Sequence, residues 1–154
     1  MVKKIILALL IGTLSLTLIG CGNKNVEGTL PEILDKINQN LDQDMKDRLI
    51  SLELDDDNIA NFIGTSDIDY KEAIASEHMT GSVAYSVVLI RAKENADIEA
   101  IKTKIKENIN PRKWICVGVE KEEVIVKSKG DLIIAIVIAS EENRSVIEKG
   151  FDNL

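Results

Sequence analysis

Glu123-Val-Ile-Val-Lys-Ser-Lys-Gly-Asp-Leu-Ile-Ile-Ala-Ile-Val-Ile-Ala139 is the stretch that decides the fold. Its first half, Glu123 to Ser128, holds the β-branched run Val124-Ile125-Val126 and reads as a strand. Lys129-Gly130-Asp131 carries the turn chemistry of a hairpin. Leu132 to Ala139 is β-branched or aliphatic throughout, so this second strand is apolar on both faces. A strand of that kind has no side to offer to water and belongs inside a sheet.

The pattern extends in both directions from this hairpin. Downstream, Ser140 caps a final helix that carries Val146, Ile147 and Phe151. Upstream, Ala96 to Ile109 places Ile98, Ile101, Ile105 and Ile109 on one helical stripe with lysines opposite, and Asn110-Pro111 ends or kinks it. Before it lie a strand near Tyr70–Glu77, a Thr80-Gly81-Ser82 turn and a strand from Val83 to Ala92. Strand, turn, strand and helix thus follow one another twice, without a residue-level repeat. The order predicts an α+β fold. Its sheet is about four-stranded and largely antiparallel, with helices packed mainly on one face and preceded by N-terminal helices.

Those N-terminal helices have local signatures. Thr29 and Glu32 form a capping box ahead of Leu30, Ile33, Leu34, Ile37 and Leu41, with Pro31 tolerated in the first turn. Leu49 to Leu54 is open between a short strand and a loop. Asp55-Asp56-Asp57-Asn58 lacks the glycine an EF-hand needs at its sixth position, where Ala60 stands. It reads instead as an N-terminal cap for a turn of helix carrying Ile59, Phe62 and Ile63, with Gly64 as the stop.

The beginning of the chain is an address. Lys3 and Lys4 precede an uncharged apolar stretch from Ile5 to Ile19, shorter than the roughly 20 residues of a spanning helix. It ends in Leu18-Ile19-Gly20-Cys21, which resembles the lipobox of bacterial lipoproteins. The resemblance implies cleavage before Cys21 and a diacylglycerol on its sulfur, and two acyl chains suffice for stable anchoring. The expected organisation is a signal peptide over 1–20, a lipidated Cys21 with a flexible tether over 21–28, and one extracytoplasmic domain over 29–154. A tether from Gly22 to Gly28 would span about 15 Å on average.

Composition narrows the function. Loss of residues 1–20 takes two lysines and no acid from a net charge of −7, leaving −9. Such a chain is unsuited to nucleic acid and to lying flat on anionic lipid. The membrane contact is therefore expected through lipid on Cys21, with an envelope protein as the possible further partner. Lipidation leaves Cys116 without an intramolecular disulfide partner, and its Trp-Ile-Cys-Val setting reads as a small buried hydrophobe. There is no Gly-x-Ser-x-Gly elbow, P-loop, His-Glu-x-x-His or Gly-x-Gly-x-x-Gly. With one histidine and two cysteines no metal site or cofactor is expected, and no catalytic residue is assigned. His78 reads as an exposed strand-end residue, on the opposite face from Glu77. Arg112-Lys113-Trp114 is the least ordinary cluster, two cations beside the only tryptophan. It is either a partner contact or a helix end whose tryptophan covers the core. Trp114 to Val119 is open between a helical turn and a strand.

The lipobox, Glu72-Ala73-Ile74-Ala75-Ser76-Glu77, Ser86-Val87-Val88-Leu89-Ile90-Arg91, Pro111-Arg112-Lys113-Trp114-Ile115-Cys116 and Lys129-Gly130-Asp131 together resemble the small, clostridia-like bacterial lipoproteins of domain-of-unknown-function family 4358. The segment after the long helix is shorter here than in that family and centres on Trp114. The resemblance implies an exported single-domain protein and carries over no catalytic residue. The expected function is that of a membrane-anchored binding or accessory module; the alternative is a cell-envelope enzyme using a carboxylate-based site.

Overall fold

The computed structural model describes residues 25–154. In chain order the elements are α1 (Leu30–Asn38), α2 (Gln43–Asp47), β1 (Leu49–Leu54), α3 (Ala60–Ile63), β2 (Tyr70–His78), β3 (Tyr85–Ala92) and α4 (Ile98–Asn108). A 3-10 turn at Lys121–Glu123, then β4 (Ile125–Lys129), β5 (Leu132–Ile138) and α5 (Glu141–Asp152) complete the domain. The local signatures act as their chemistry dictates. Thr29 and Glu32 close a capping box on α1, and Ser140 accepts the Asn143 amide at the start of α5. Asp55 accepts the amides of Asp57 and Asn58. It thus caps the turn that leads into α3 rather than the helix itself, whose first residues have no side-chain cap.

The sheet has five strands in the order β1-β2-β3-β5-β4, every pairing antiparallel. The expected four become five because Leu49–Leu54 pairs with β2 along its whole length. β5 is internal, as its apolar run requires, while β3 takes the middle position.

Helices cover both faces, which corrects the expectation of one. The reason lies in the alternation of β3 and β5. Tyr85, Val87 and Leu89 point with Leu132, Ile134, Ile136 and Ile138 into a core closed by α1 and α5. Val88, Ile90, Ile133, Ala135 and Val137 point the other way, into a core closed by α3, α4 and the segment around Val119 and Val124. A sheet with two apolar faces needs two covers. α1 and α5 meet closely at Gly150, where a Cβ would lie 2.6 Å from the Ile37 carbonyl oxygen.

The two tyrosines are tuned differently. Burial alone raises the Tyr85 phenol far above its usual value. At Tyr70, burial and a 2.8 Å hydrogen bond to Asp56 push the phenol up to about 12.

The chain does not start loosely at Thr29. Arg91, at the end of β3 and nearly buried, donates to the carbonyl oxygens of Val26 (3.0 Å) and Gly28 (2.9 Å). The same guanidinium reaches Glu72 at 2.8 Å and Asp131 at 3.2 Å. Asn25 accepts the Asp131 amide, and Val26 packs on the α1/α5 core. The segment 25–28 is thereby strapped along the α1/α5 side of the sheet, at the end where β3 finishes and β5 begins.

Candidate functional site

The segment singled out by sequence forms a closed loop between α4 and the 3-10 turn. Val119 donates its amide to Pro111 O at 2.8 Å, and Ile115 donates to Gly81 O at 3.0 Å, docking the loop onto the β2–β3 turn. Gly118 is required inside this closure, because a Cβ there would meet Arg112 Cγ at 2.7 Å. Trp114 to Val119 is neither strand nor helix: Trp114 to Cys116 bend, and Val117 to Val119 are irregular.

Three neighbours in sequence diverge in space. Arg112 is exposed and ion-pairs with Glu120. Lys113 turns inward, donating to Glu77 Oε1 at 2.7 Å and lying 3.3 Å from Ser86 Oγ. Its ammonium stands 4.7 Å from the centre of the Phe62 ring and 5.2 Å from that of Trp114. Trp114 is half-buried and packs against the α3/α4 core together with Val117. The two expectations for this cluster are thus divided between its members: Trp114 covers the core, and Arg112 faces water.

Glu77 and Ser86 are opposed in the β2–β3 register, which places both on the α3/α4 face beneath Lys113. A serine beside a lysine invites comparison with a nucleophile and its base. The hydrogen bonding here is closed: Ser86 is buried and donates to Glu77, and Glu77 also accepts from Lys113. The trio joins the loop to the sheet.

His78 is buried, not exposed, because β2 runs through it and Met79 still donates to Arg48 O. Its Nδ1 accepts the Thr80 amide at 3.0 Å. Strand alternation sends it away from the face that holds Glu77, as expected. Cys116 is exposed, against the expectation of a buried hydrophobe. The loop closure turns its backbone to a left-handed φ of 60°, and the side chain leaves the core side. Cys21 lies outside the described residues.

Sequence reasoning missed the residues that form the exposed apolar tip. Ile115 is 73% exposed and Met79 58%. The Ile115–Gly81 bond brings both to the end of the sheet marked by His78 and Tyr85, remote from Asn25. An isoleucine between Trp114 and Cys116 carries no local sign of exposure; only the loop's path shows it.

Two carboxyl groups have displaced acidities, and both move down. Glu32 is lowered by the Thr29 hydrogen bonds and Asp67 by Lys104. Each is held as an anion by a donor and neither is kept protonated as a general acid would be. Among the described residues no group of His, Cys, Asp and Glu is arranged to hold a metal ion.

The loop geometry gives a direct prediction. Trp114→Ala should lower stability by about 2 kcal/mol, roughly half the cost of emptying a full aromatic core site. Ile115→Ala should leave the melting temperature unchanged. Equal losses in thermal unfolding would show that the loop packs with Ile115 inward.

Comparison with family models, with curated proteins and with solved structures finds no match to this chain.

Proposed function

We propose that this chain is an exported lipoprotein, anchored through acylated Cys21, whose domain serves as a binding or accessory module without catalytic chemistry of its own. On this reading it is a member of domain-of-unknown-function family 4358. The observation that carries the proposal is the placement of the exposed Met79–Ile115 tip at the opposite end of the sheet from Asn25. Four Cα steps separate Asn25 from Cys21, at most about 14 Å of chain. An acyl anchor on Cys21 therefore holds the Arg91 end of the domain near the bilayer and leaves the apolar tip accessible. Exposed apolar groups beside a polar rim suit a protein partner. Arg112 and Glu120 supply such a rim.

Mass spectrometry of the protein purified from its native membrane should show a diacylated N-terminal Cys21. Cys21→Ser should accumulate as unlipidated precursor. Normal processing and retention of that variant would refute the anchoring. The module reading is tested separately. Ile115→Asp with Met79→Ser should abolish recovery of an envelope partner by the lipidated protein, while the domain remains folded. Undiminished recovery would refute the tip as the contact.

A further inference from the structure

The two edges of the sheet are treated differently. β4 carries Lys127 and Lys129 on its edge, and both side chains bond to the end of α5, through Asp152, Glu148 and Leu154. Lysines and a covering helix are the usual means of blocking further strand pairing. β1 has neither. Leu49-Ile50-Ser51-Leu52-Glu53-Leu54 contains no lysine or proline and runs without a bulge against β2. Ile50 is 41% exposed and Leu52 40%.

The backbone phase of β1 is fixed by one bond. Arg48 O accepts from Met79 N, and the register opposes these two residues. Residues 48, 50 and 52 therefore turn their amide and carbonyl groups toward β2, and 49, 51 and 53 turn theirs outward. The outward groups make no backbone pair; the carbonyl of Glu53 has only a long 3.5 Å contact from Asn58.

We propose that β1 pairs antiparallel with β1 of a second copy, about a two-fold axis through Ser51, to give one continuous ten-stranded sheet. Two features of this edge select a second copy. First, the outward-facing residues match under the axis: Ser51 meets Ser51, and Leu49 meets Glu53, giving about six backbone hydrogen bonds. Second, the same register sets Ile50 opposite Leu52 of the other copy, twice, in the closer non-hydrogen-bonded pairs. All four half-exposed apolar side chains then cover one another. A closed isologous contact of this kind ends at two chains.

An axis perpendicular to the sheet keeps the two α1/α5 layers on one side. Both strapped N-terminal segments then lie on that side but at opposite ends of the ten-stranded sheet, so two anchors in one bilayer would turn the α1/α5 face, rather than one end of the sheet, toward the membrane. The pairing itself is independent of the anchor, so its failure would leave the lipoprotein reading standing. The contact is small, and confinement to a membrane surface would raise its occupancy.

Ser51→Cys in a Cys21→Ser, Cys116→Ser background tests the axis. Opposed hydrogen-bonded residues sit about 5.5 Å apart at Cα, within disulfide reach. Mild oxidation of the full chain in detergent should give a covalent dimer from Ser51→Cys and at least tenfold less from Glu53→Cys. Sedimentation of the chain with native β1 should show a concentration-dependent dimer. Leu52→Lys should raise its dissociation constant at least tenfold without lowering the melting temperature. A monomer at all concentrations would refute the proposal, and would leave the edge for a strand from another protein. Cross-linking through Glu53→Cys as efficient as through Ser51→Cys, or a Leu52→Lys variant that dimerises undiminished, would refute it equally.

Discussion

Arg91→Met is expected to cost about 3 kcal/mol in urea unfolding, the low end of the range for breaking a buried charge pair, because water still reaches Glu72 and Asp131. The guanidinium joins four acceptors that nothing else in the fold would serve together: the carboxylates of Glu72 and Asp131 and the carbonyls of Val26 and Gly28. Methionine fills the space of the stem and leaves all four without their donor. Arg91→Lys should recover only a small part, since one ammonium cannot span the fork of contacts. Adding Glu72→Gln and Asp131→Asn to Arg91→Met should recover more, because the stranded charges are then gone. The variant has a second readout. Residues 25–28 should become open to proteolysis while the core stays protected, since the strap to the sheet is lost. A change below 1 kcal/mol with residues 25–28 still protected would mean that the clamp does not hold the start of the domain.

Gly64→Ala should be the most damaging addition of a single methyl group, at about 3 kcal/mol or more. Two separate costs add at this position. Gly64 closes α3 at a φ of 80°, where an alanine loses about 1–2 kcal/mol. Its Cβ would also lie 2.0 Å from Asn108 O and 2.8 Å from Ile109 N, so the end of α3 would be driven off the end of α4. Forced overpacking adds about 1–3 kcal/mol. Gly64→Asn separates the two costs: asparagine accepts the left-handed backbone but brings the same clash. It should therefore remain close to the alanine variant in melting temperature. Gly81→Ala is the control, with nothing within 4 Å of the added carbon. A mild Gly64→Ala, or full rescue by asparagine, would show that the α3–α4 contact yields easily.

Much of the architecture was written locally. The Thr29–Glu32 capping box, the Ser140 cap and the Gly64 stop each depend on residues within four positions of one another, so the sequence alone placed them. The β-branched Val124-Ile125-Val126 and the apolar run from Leu132 to Ile138 on either side of the turn placed the closing hairpin for the same reason, with Gly130 at a φ of 61° in its turn. The chemistry of the site was less legible. Lys113 met Glu77 across 36 positions and Arg91 met Val26 across 65, and no short pattern anticipates such pairs.

What the sequence by itself determined was the kind and apolar face of the longer elements, because periodicities of 3.6 and 2 are set by residues a few positions apart. Tertiary structure alone decided where those faces went. It made Leu49–Leu54 a strand by giving it β2 as a partner, and it divided the helices between two faces because β3 and β5 are apolar on both. Its route for the loop after α4 exposed Cys116 and Ile115 while half-burying Trp114, and the continuation of β2 buried His78. Burial of a residue in an irregular segment is set by the surface that the rest of the chain presents to it. That surface is assembled from contacts between residues far apart in sequence, and a local pattern carries no record of it.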